Sequence, residues 1–215
     1  MKISVIGTGD VGDTLADGFL KHGHAVVRGT RDPAKLADWA KSAGENASVA
    51  TMEEAARAGE VVVLAVKGSA AEQVVRACAR GLAGKTVIDT TNPIADAPPE
   101  SGVLKFFTTL DDSLMERLQR TVPEARFVKA FSCVGNALMV DPALPGGRPT
   151  MFVCGNDQGA KDQVGGILDD FGWDVEDLGA AAAARAIEPL CILWCIPGFI
   201  RNDWVHAYKV LRPTR

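Results

Sequence analysis

Residues 2–12 read Lys-Ile-Ser-Val-Ile-Gly-Thr-Gly-Asp-Val-Gly. The β-branched run Lys2–Ile6 predicts a strand, and Gly7, Gly9 and Gly12 follow it in a G-x-G-x-x-G pattern. From Val11 to Lys21 the apolar residues Val11, Leu15, Phe19 and Leu20 recur at helical spacing. Strand, tight turn and helix in that order give the glycines a physical task. Gly7 permits the sharp turn, Gly9 removes a side chain where a pyrophosphate would approach, and Gly12 lets helix and strand pack closely. The unpaired N–H groups and positive end of the helix then face the phosphates. Thr8, Asp10 and Val11 complete the loop.

The pattern beyond this loop repeats the alternation. Strands are predicted at His24–Arg28, Val49–Thr51, Glu60–Val66, Lys85–Asp89 and Arg126–Phe131, with helices at about Asp32–Ala40, Met52–Ala58, Ala70–Arg80 and Ser113–Thr121. The run Val61–Val66 is continuously apolar, as befits a parallel strand covered on both faces. Ala95–Gly102, rich in proline and small residues, reads as an exposed loop. This alternation predicts an α/β fold, a doubly wound, mostly parallel sheet. After Asp141 the pattern changes: a strand at Thr150–Cys154, a helix at Asp157–Phe171, a strand at Asp174–Leu178 and one long apolar helix at Ala180–Cys195. The expected organisation is a dinucleotide-binding domain over 1–141 and a C-terminal extension over 142–215 that packs on it.

The 215 residues are 47% hydrophobic and carry a formal charge of −4. That balance leaves no electrostatic footprint for nucleic acid or an anionic membrane. No uninterrupted apolar run approaches about 18 residues, so no membrane span is expected, and the N-terminus lacks a signal-peptide layout. Five scattered cysteines form no CxxC pair. Cys191 and Cys195 stand at helical i, i+4 spacing in apolar surroundings and read as buried core thiols, which fits a reducing cytoplasm and no metal site.

The end of the second strand decides which dinucleotide fits. NAD-specific folds place an Asp or Glu there, about 20 residues past the glycines, to accept from the ribose hydroxyls. Here the sequence is Val27-Arg28-Gly29-Thr30-Arg31-Asp32. A 2′-phosphate repelled by an acid would be bound by the Thr30 hydroxyl and the Arg31 guanidinium, with Lys35 one helical turn on. Asp32 lies just past the acceptor position and is expected to cap the helix that Pro33 opens. NADP(H) is therefore the expected cofactor. Candidate binding residues are Gly7, Thr8, Gly9, Asp10, Val11, Gly12, Thr30, Arg31 and Lys35, with Ala65 and Val66 at the end of the fourth strand. Asn92 closes the next strand end, where it either bonds the nicotinamide carboxamide or ribose or simply caps a turn before Pro93.

Taken together, Gly7–Gly12, Gly29-Thr30-Arg31, Thr91-Asn92-Pro93 and Val128-Lys129-Ala130-Phe131 resemble the NADPH:F420 oxidoreductase family. Ala184-Arg185-Ala186-Ile187-Glu188-Pro189-Leu190 with Leu193-Trp194, and Ala207–Arg212, extend the likeness to the C-terminal part. The resemblance implies NADP on the sheet domain, a C-terminal portion that helps form the pocket for a deazaflavin (F420) or flavin-type acceptor, and a homodimer. It also places Thr8, Thr30, Arg31 and Lys35 at the NADP phosphates. Lys67 departs from the family pattern, which more often has an aromatic residue or proline there.

No proton donor announces itself. His22 and His24 precede the second strand, at the sheet end away from the crevice, and no Tyr-x-x-x-Lys pair exists. Lys67 and Lys129 lie near strand ends, where a donor, a charge clamp or a structural lysine are all compatible with the sequence, and the catalytic residue stays unassigned. Hydride transfer between two preassembled cofactors needs proximity and orientation more than a side-chain acid, so this poverty favours a cofactor-to-cofactor oxidoreductase. Two rivals stand beside it. One is an NADPH-dependent reductase of a small imine or carbonyl, as in pyrroline-carboxylate reductases, for whose long helical dimerisation domain too few residues follow Leu178. The other is an NADP(H)-sensing module without turnover.

Overall fold

The computed structural model describes residues 1–213. Eight strands form one sheet: β1 (Lys2–Ile6), β2 (Ala25–Thr30), β3 (Ala47–Thr51), β4 (Val61–Leu64), β5 (Thr86–Asp89), β6 (Arg126–Lys129), β7 (Thr150–Gly155) and β8 (Asp174–Asp177). Their spatial order is β3-β2-β1-β4-β5-β6-β7-β8. All pairings from β3 to β6 are parallel, β7 runs antiparallel to β6, and β8 runs parallel to β7. The α/β, doubly wound expectation holds, and the chain after Asp141 adds two strands to the same sheet.

The helices are α1 (Asp10–Lys21), α2 (Ala37–Ala43), α3 (Met52–Ala58), α4 (Gly68–Leu82), α5 (Leu114–Thr121), α6 (Gln158–Asp170), α7 (Ala184–Ile187) and α8 (Leu190–Arg201). They cover both faces, which is why Val61–Leu64 is apolar at every position and wholly buried. On one face Leu15 and Phe19 of α1 meet Phe131, Phe171 and Trp173. On the other, Val75 and Leu82 of α4 meet Leu118 and Phe127. Strand order reverses between β1 and β4, so their carboxyl ends open a crevice where α1 and α4 diverge.

Two elements differ from the sequence expectation. Ala95–Gly102 is part of a short hairpin rather than a plain loop. Ile94 pairs with Phe106, Glu100 and Val103 exchange both backbone hydrogen bonds at 3.0 Å, and Ser101 and Gly102 turn the chain with φ of 52° and 82°. Both central residues at positive φ define the tight turn that suits a twisted hairpin. The C-terminal apolar helix is broken into α7 and α8 at Glu188–Pro189 and continues to Arg201, with Asn202 in the left-handed conformation ending it. By length and composition alone the run Ala181–Arg201, mean hydropathy 1.5, is long and apolar enough to cross a bilayer. Counting uninterrupted apolar residues missed it because Arg185 and Glu188 interrupt the run. Both are bound to the domain: Arg185 pairs with Glu116 of α5 at 2.7 Å, and Glu188 is buried.

Residues 202–213 have no regular structure yet are tied down. The Tyr208 carbonyl accepts from the Thr150 amide at 2.8 Å, Trp194 Nε1 donates to the His206 carbonyl at 2.8 Å, and Arg212 donates to both Glu176 oxygens. The tail thus straps α8 to β7 and to the edge strand β8.

Candidate functional site

Backbone touches backbone where β1 turns into α1. Gly7 has φ +138°, and a Cβ there would stand 1.9 Å from the Ala65 carbonyl oxygen at the end of β4. A Cβ on Gly12 would lie 2.9 Å from the Gly7 carbonyl oxygen, so α1 packs directly on the turn. Gly9 is the opposite case, with no atom within 4 Å of its missing Cβ. It faces open space at the start of α1, which no side chain caps. The first turn of a helix has amide donors without intrahelical partners, and here they border the space left by Gly9.

Beneath the turn lies Arg28 of β2, a charged residue in an otherwise apolar and small strand, and buried. Its guanidinium pairs with Asp13 of α1, donates to the Gly7 carbonyl at 3.2 Å and sits 4.8 Å from the centre of the Trp39 ring. Trp39 in turn donates to Asp17 of α1 at 2.8 Å. Arg28 therefore ties β2, α1 and the glycine turn together. The sequence reading passed over it, although a lone arginine inside a Val-Val-x-Gly strand was its signal.

At the end of β2 the structure separates the three residues grouped by the sequence. Thr30 is buried and its hydroxyl accepts from the Asp32 amide at 3.2 Å. Asp32 caps the short 3-10 turn Pro33–Leu36 by accepting from the Ala34 amide, the structural task expected of it. Arg31 and Lys35 are exposed, and neither is in an ion pair among the described residues.

A cleft of about 420 Å³ opens over the crevice, between the glycine turn, the end of β4, the start of α4 and the end of β5. It brings together Gly9, Asp10, Val11, Ala65, Val66 and Asn92. Gly7 and Gly12 stand behind it, Thr8 is exposed on the turn, and Thr30, Arg31 and Lys35 lie outside the lining at the end of β2. A larger hollow of about 540 Å³ beside Arg126 and Asp157 lies at the opposite end of β6 and shares no residue with the glycine turn.

Asn92 is held on three sides. Its amide nitrogen donates to the Ser132 carbonyl at 2.8 Å, its own carbonyl accepts from the Ile94 amide at 2.9 Å, and Gly68 packs so close that a Cβ would sit 1.9 Å from that carbonyl oxygen. Its side-chain oxygen Oδ1 is buried with no hydrogen-bond partner. A buried acceptor without a donor is costly, and this one belongs to a residue that lines the cleft.

The two candidate lysines part company. Lys67 is exposed on the cleft at the start of α4. Lys129 is fully buried, with Nζ 2.7 Å from Asp89 and 3.0 Å from Glu188 and donating to the Thr91 carbonyl at 2.8 Å. Burial alone would push its pKa down, but the Asp89 and Glu188 carboxylates reverse this and leave it raised. Lys129 is therefore held as a cation, away from any reacting group. The histidines lie elsewhere: His22 is 3.1 Å from Asp141, and His206 stacks on Trp194 with ring centres 5.0 Å apart. Burial pushes the Tyr208 hydroxyl up to about 12. All five cysteines are free and buried, and burial pushes the Cys133 and Cys154 thiols up to about 12. No group of His, Cys, Asp or Glu among the described residues is placed to hold a metal.

Comparison with known proteins adds three findings. Residues 2–93 match the family model described as NADP oxidoreductase, coenzyme F420-dependent. Among curated proteins, the F420-dependent NADP reductase of Methanocaldococcus jannaschii is 30% identical over 201 residues, covering 88% of this chain and 89% of that protein. The metalloreductase STEAP3 of Rattus norvegicus is 30% identical over 221 residues, 98% of this chain, but the chain spans only 42% of that relative's length. Among solved structures, one from Arthrobacter sp. FB24, provisionally designated an F420-dependent NADP reductase, superposes with a TM-score of 0.91 at 36% identity, over 99% of this chain and all of that one.

The contrast between the glycines is testable by thermal unfolding. Gly7→Ala is strained both by its positive φ and by the Ala65 carbonyl, and should cost more than about 1–2 kcal/mol. Gly9→Ala meets nothing and should leave the melting temperature unchanged. Equal losses at the two positions would contradict the geometry.

Proposed function

Since the chain belongs to the F420-dependent NADP oxidoreductase family, we propose that its cleft carries hydride between NADP(H) and the deazaflavin F420, as an NADP-dependent oxidoreductase. The observation that carries this reading is the open cradle at Gly9, bordered by uncapped helix amides, with two exposed cations, Arg31 and Lys35, just past the neighbouring strand and in no ion pair among the described residues. When bound, the nicotinamide supplies the hydride-exchanging carbon and the deazaflavin its partner. The residues of the chain bind and orient.

The amides at Asp10, Val11 and Gly12 and the open side of Gly9 hold the pyrophosphate, with Thr8 on the turn beside them. Arg31 and Lys35 hold the 2′-phosphate as charge-assisted donors, while Thr30 and Asp32 shape the bend that presents them. Ala65 and Val66 give an apolar wall. The orphaned Oδ1 of Asn92 accepts from the nicotinamide carboxamide, which supplies the donor that this buried oxygen lacks. Asp10 at the first helical position sets a carboxylate near the phosphates, so binding of the anionic cofactor rests chiefly on amides and on the β2 cations. The family does not favour the imine-reductase or the sensor reading. A flavin acceptor, or a ferric chelate, is a further arm of the same experiment.

Two finer statements belong to the same reading. The chain works as a homodimer through α8, where Leu193 and Ile200 are 54% and 58% exposed on an otherwise apolar helix. It works in the cytoplasm, where five unpaired thiols stay reduced; cell fractionation checks that assignment.

Stopped-flow oxidation of NADPH should show turnover with F420 and little with FMN, FAD or ferric chelates; tight NADPH binding with no turnover on any acceptor would overturn the proposal. Arg31→Ala should weaken NADPH binding by about 1.5–3 kcal/mol, the range for a lost charged hydrogen bond, while NADH binding barely changes. Matching losses for both nucleotides would remove Arg31 from the phosphate. In sedimentation velocity the protein should run as a dimer and Ile200→Glu as a monomer, and a monomeric parent chain would exclude the α8 interface.

A further inference from the structure

Three fully buried charges lie directly behind the cleft wall: Lys129 at the end of β6, Asp89 at the end of β5 and Glu188 between α7 and α8. Hydride transfer as proposed above does not use them, yet they engage every polar group of Thr91. Asp89 Oδ1 accepts from the Thr91 amide at 2.9 Å and from its hydroxyl at 2.7 Å, and Lys129 Nζ donates to the Thr91 carbonyl at 2.8 Å. Thr91 is followed by Asn92, whose carbonyl abuts Gly68 and whose side chain reaches Ser132. The clamp therefore fixes the peptide immediately before Asn92, whose buried Oδ1 lines the cleft without a hydrogen-bond partner.

The third member brings in the C-terminal part. Glu188 is 3.0 Å from Lys129 and accepts from the Leu114 and Met115 amides at 3.0 and 2.9 Å, at the start of α5. The positive end of that helix helps offset the cluster's excess of one negative charge. A buried ion group is poor value as a source of stability alone, because desolvation consumes most of the attraction. Its worth here is geometric: one cation ties β5, β6 and the α7–α8 junction to a single backbone carbonyl.

We propose that Lys129, Asp89 and Glu188 form a positioning unit that sets Thr91 and Asn92, and through them the nicotinamide, for hydride transfer. None of the three touches the reacting atoms. The assignment rests on the functional reading above for what is transferred, but not for what is positioned.

The test uses the full chain and two variants. Lys129→Met/Asp89→Asn keeps the cluster's net charge, since it removes one cation and one anion together, and deletes the bond to the Thr91 carbonyl. Thr91→Val removes one hydroxyl and leaves all three charges in place. Single-turnover hydride transfer at saturating NADPH and F420 should fall roughly 10- to 100-fold in the double variant, the scale for a reacting group displaced by about 1 Å, and less in Thr91→Val. NADPH affinity, held chiefly at the phosphate end and only in part at Asn92, should fall by a much smaller factor than the transfer rate. Unchanged transfer in both variants, or rate and affinity falling together with the folded fraction, would overturn the proposal. If the unmodified protein passes no hydride to F420, the functional reading fails. The positioning claim is then judged by the nicotinamide fluorescence of bound NADPH: altered emission in the variants sustains it, and identical emission defeats it.

Discussion

Contact between main chains, without side chains intervening, sets the shape of this molecule's cleft. Gly7 lies against the Ala65 carbonyl, Gly12 against the Gly7 carbonyl and Gly68 against the Asn92 carbonyl, so β1, β4 and β5 end within a few ångströms of the two helices that follow. A methyl group at any of these positions would push a helix off its strand. The same closeness aims the uncapped start of α1 at open space rather than at its own protein. Amide donors that would otherwise need a cap are left for a ligand, and the crevice at the strand-order reversal becomes an anion site.

Such a turn has to be held rigidly, and buried charge does much of the holding. Arg28 lies under the glycine turn, paired with Asp13, donating to the Gly7 carbonyl and packed against the Trp39 ring. Lys129 lies under the Asn92 end and is satisfied by Asp89, Glu188 and the Thr91 carbonyl. Each cation crosses between elements distant in sequence, and each ends on a backbone carbonyl of a cleft-forming loop. Apolar packing, being non-directional, would not fix a carbonyl at one angle; a pointed N–H donor does.

How much of this was legible in the sequence depended on range. The strand–turn–helix at the N-terminus could be read because its glycines act within a dozen residues, and Asp32 could be read as a cap because a cap is local. The continuous run Val61–Val66 announced a doubly covered strand for the same reason. The hairpin around Ser101–Gly102 was missed, since a serine at positive φ carries no sequence mark. The break at Glu188–Pro189 had a local sign in Pro189, which has no N–H for the helix ladder, but the partners of Glu188, Lys129 and the start of α5, lie more than fifty residues away and could not be read. Arg28 and Lys129 were visible as charges out of place, but their counterions could be found only in three dimensions.

Among the described residues no histidine, tyrosine or cysteine lines the cleft, and its titratable side chains, Asp10, Lys67 and Asp96, are all exposed. Lys129 is fixed as a cation by two carboxylates, so it neither gives nor takes a proton at working pH. The histidines sit at the far end of α1 or under the C-terminal strap, away from the lining. A carbonyl reduction would leave an alkoxide needing a proton from the protein. Hydride passing between two heteroaromatic cofactors makes no such demand, because their ring nitrogens take up the change in charge. The barrier then depends on distance and angle between two rings. A site whose buried polar groups are spent on rigid placement is consistent with that demand.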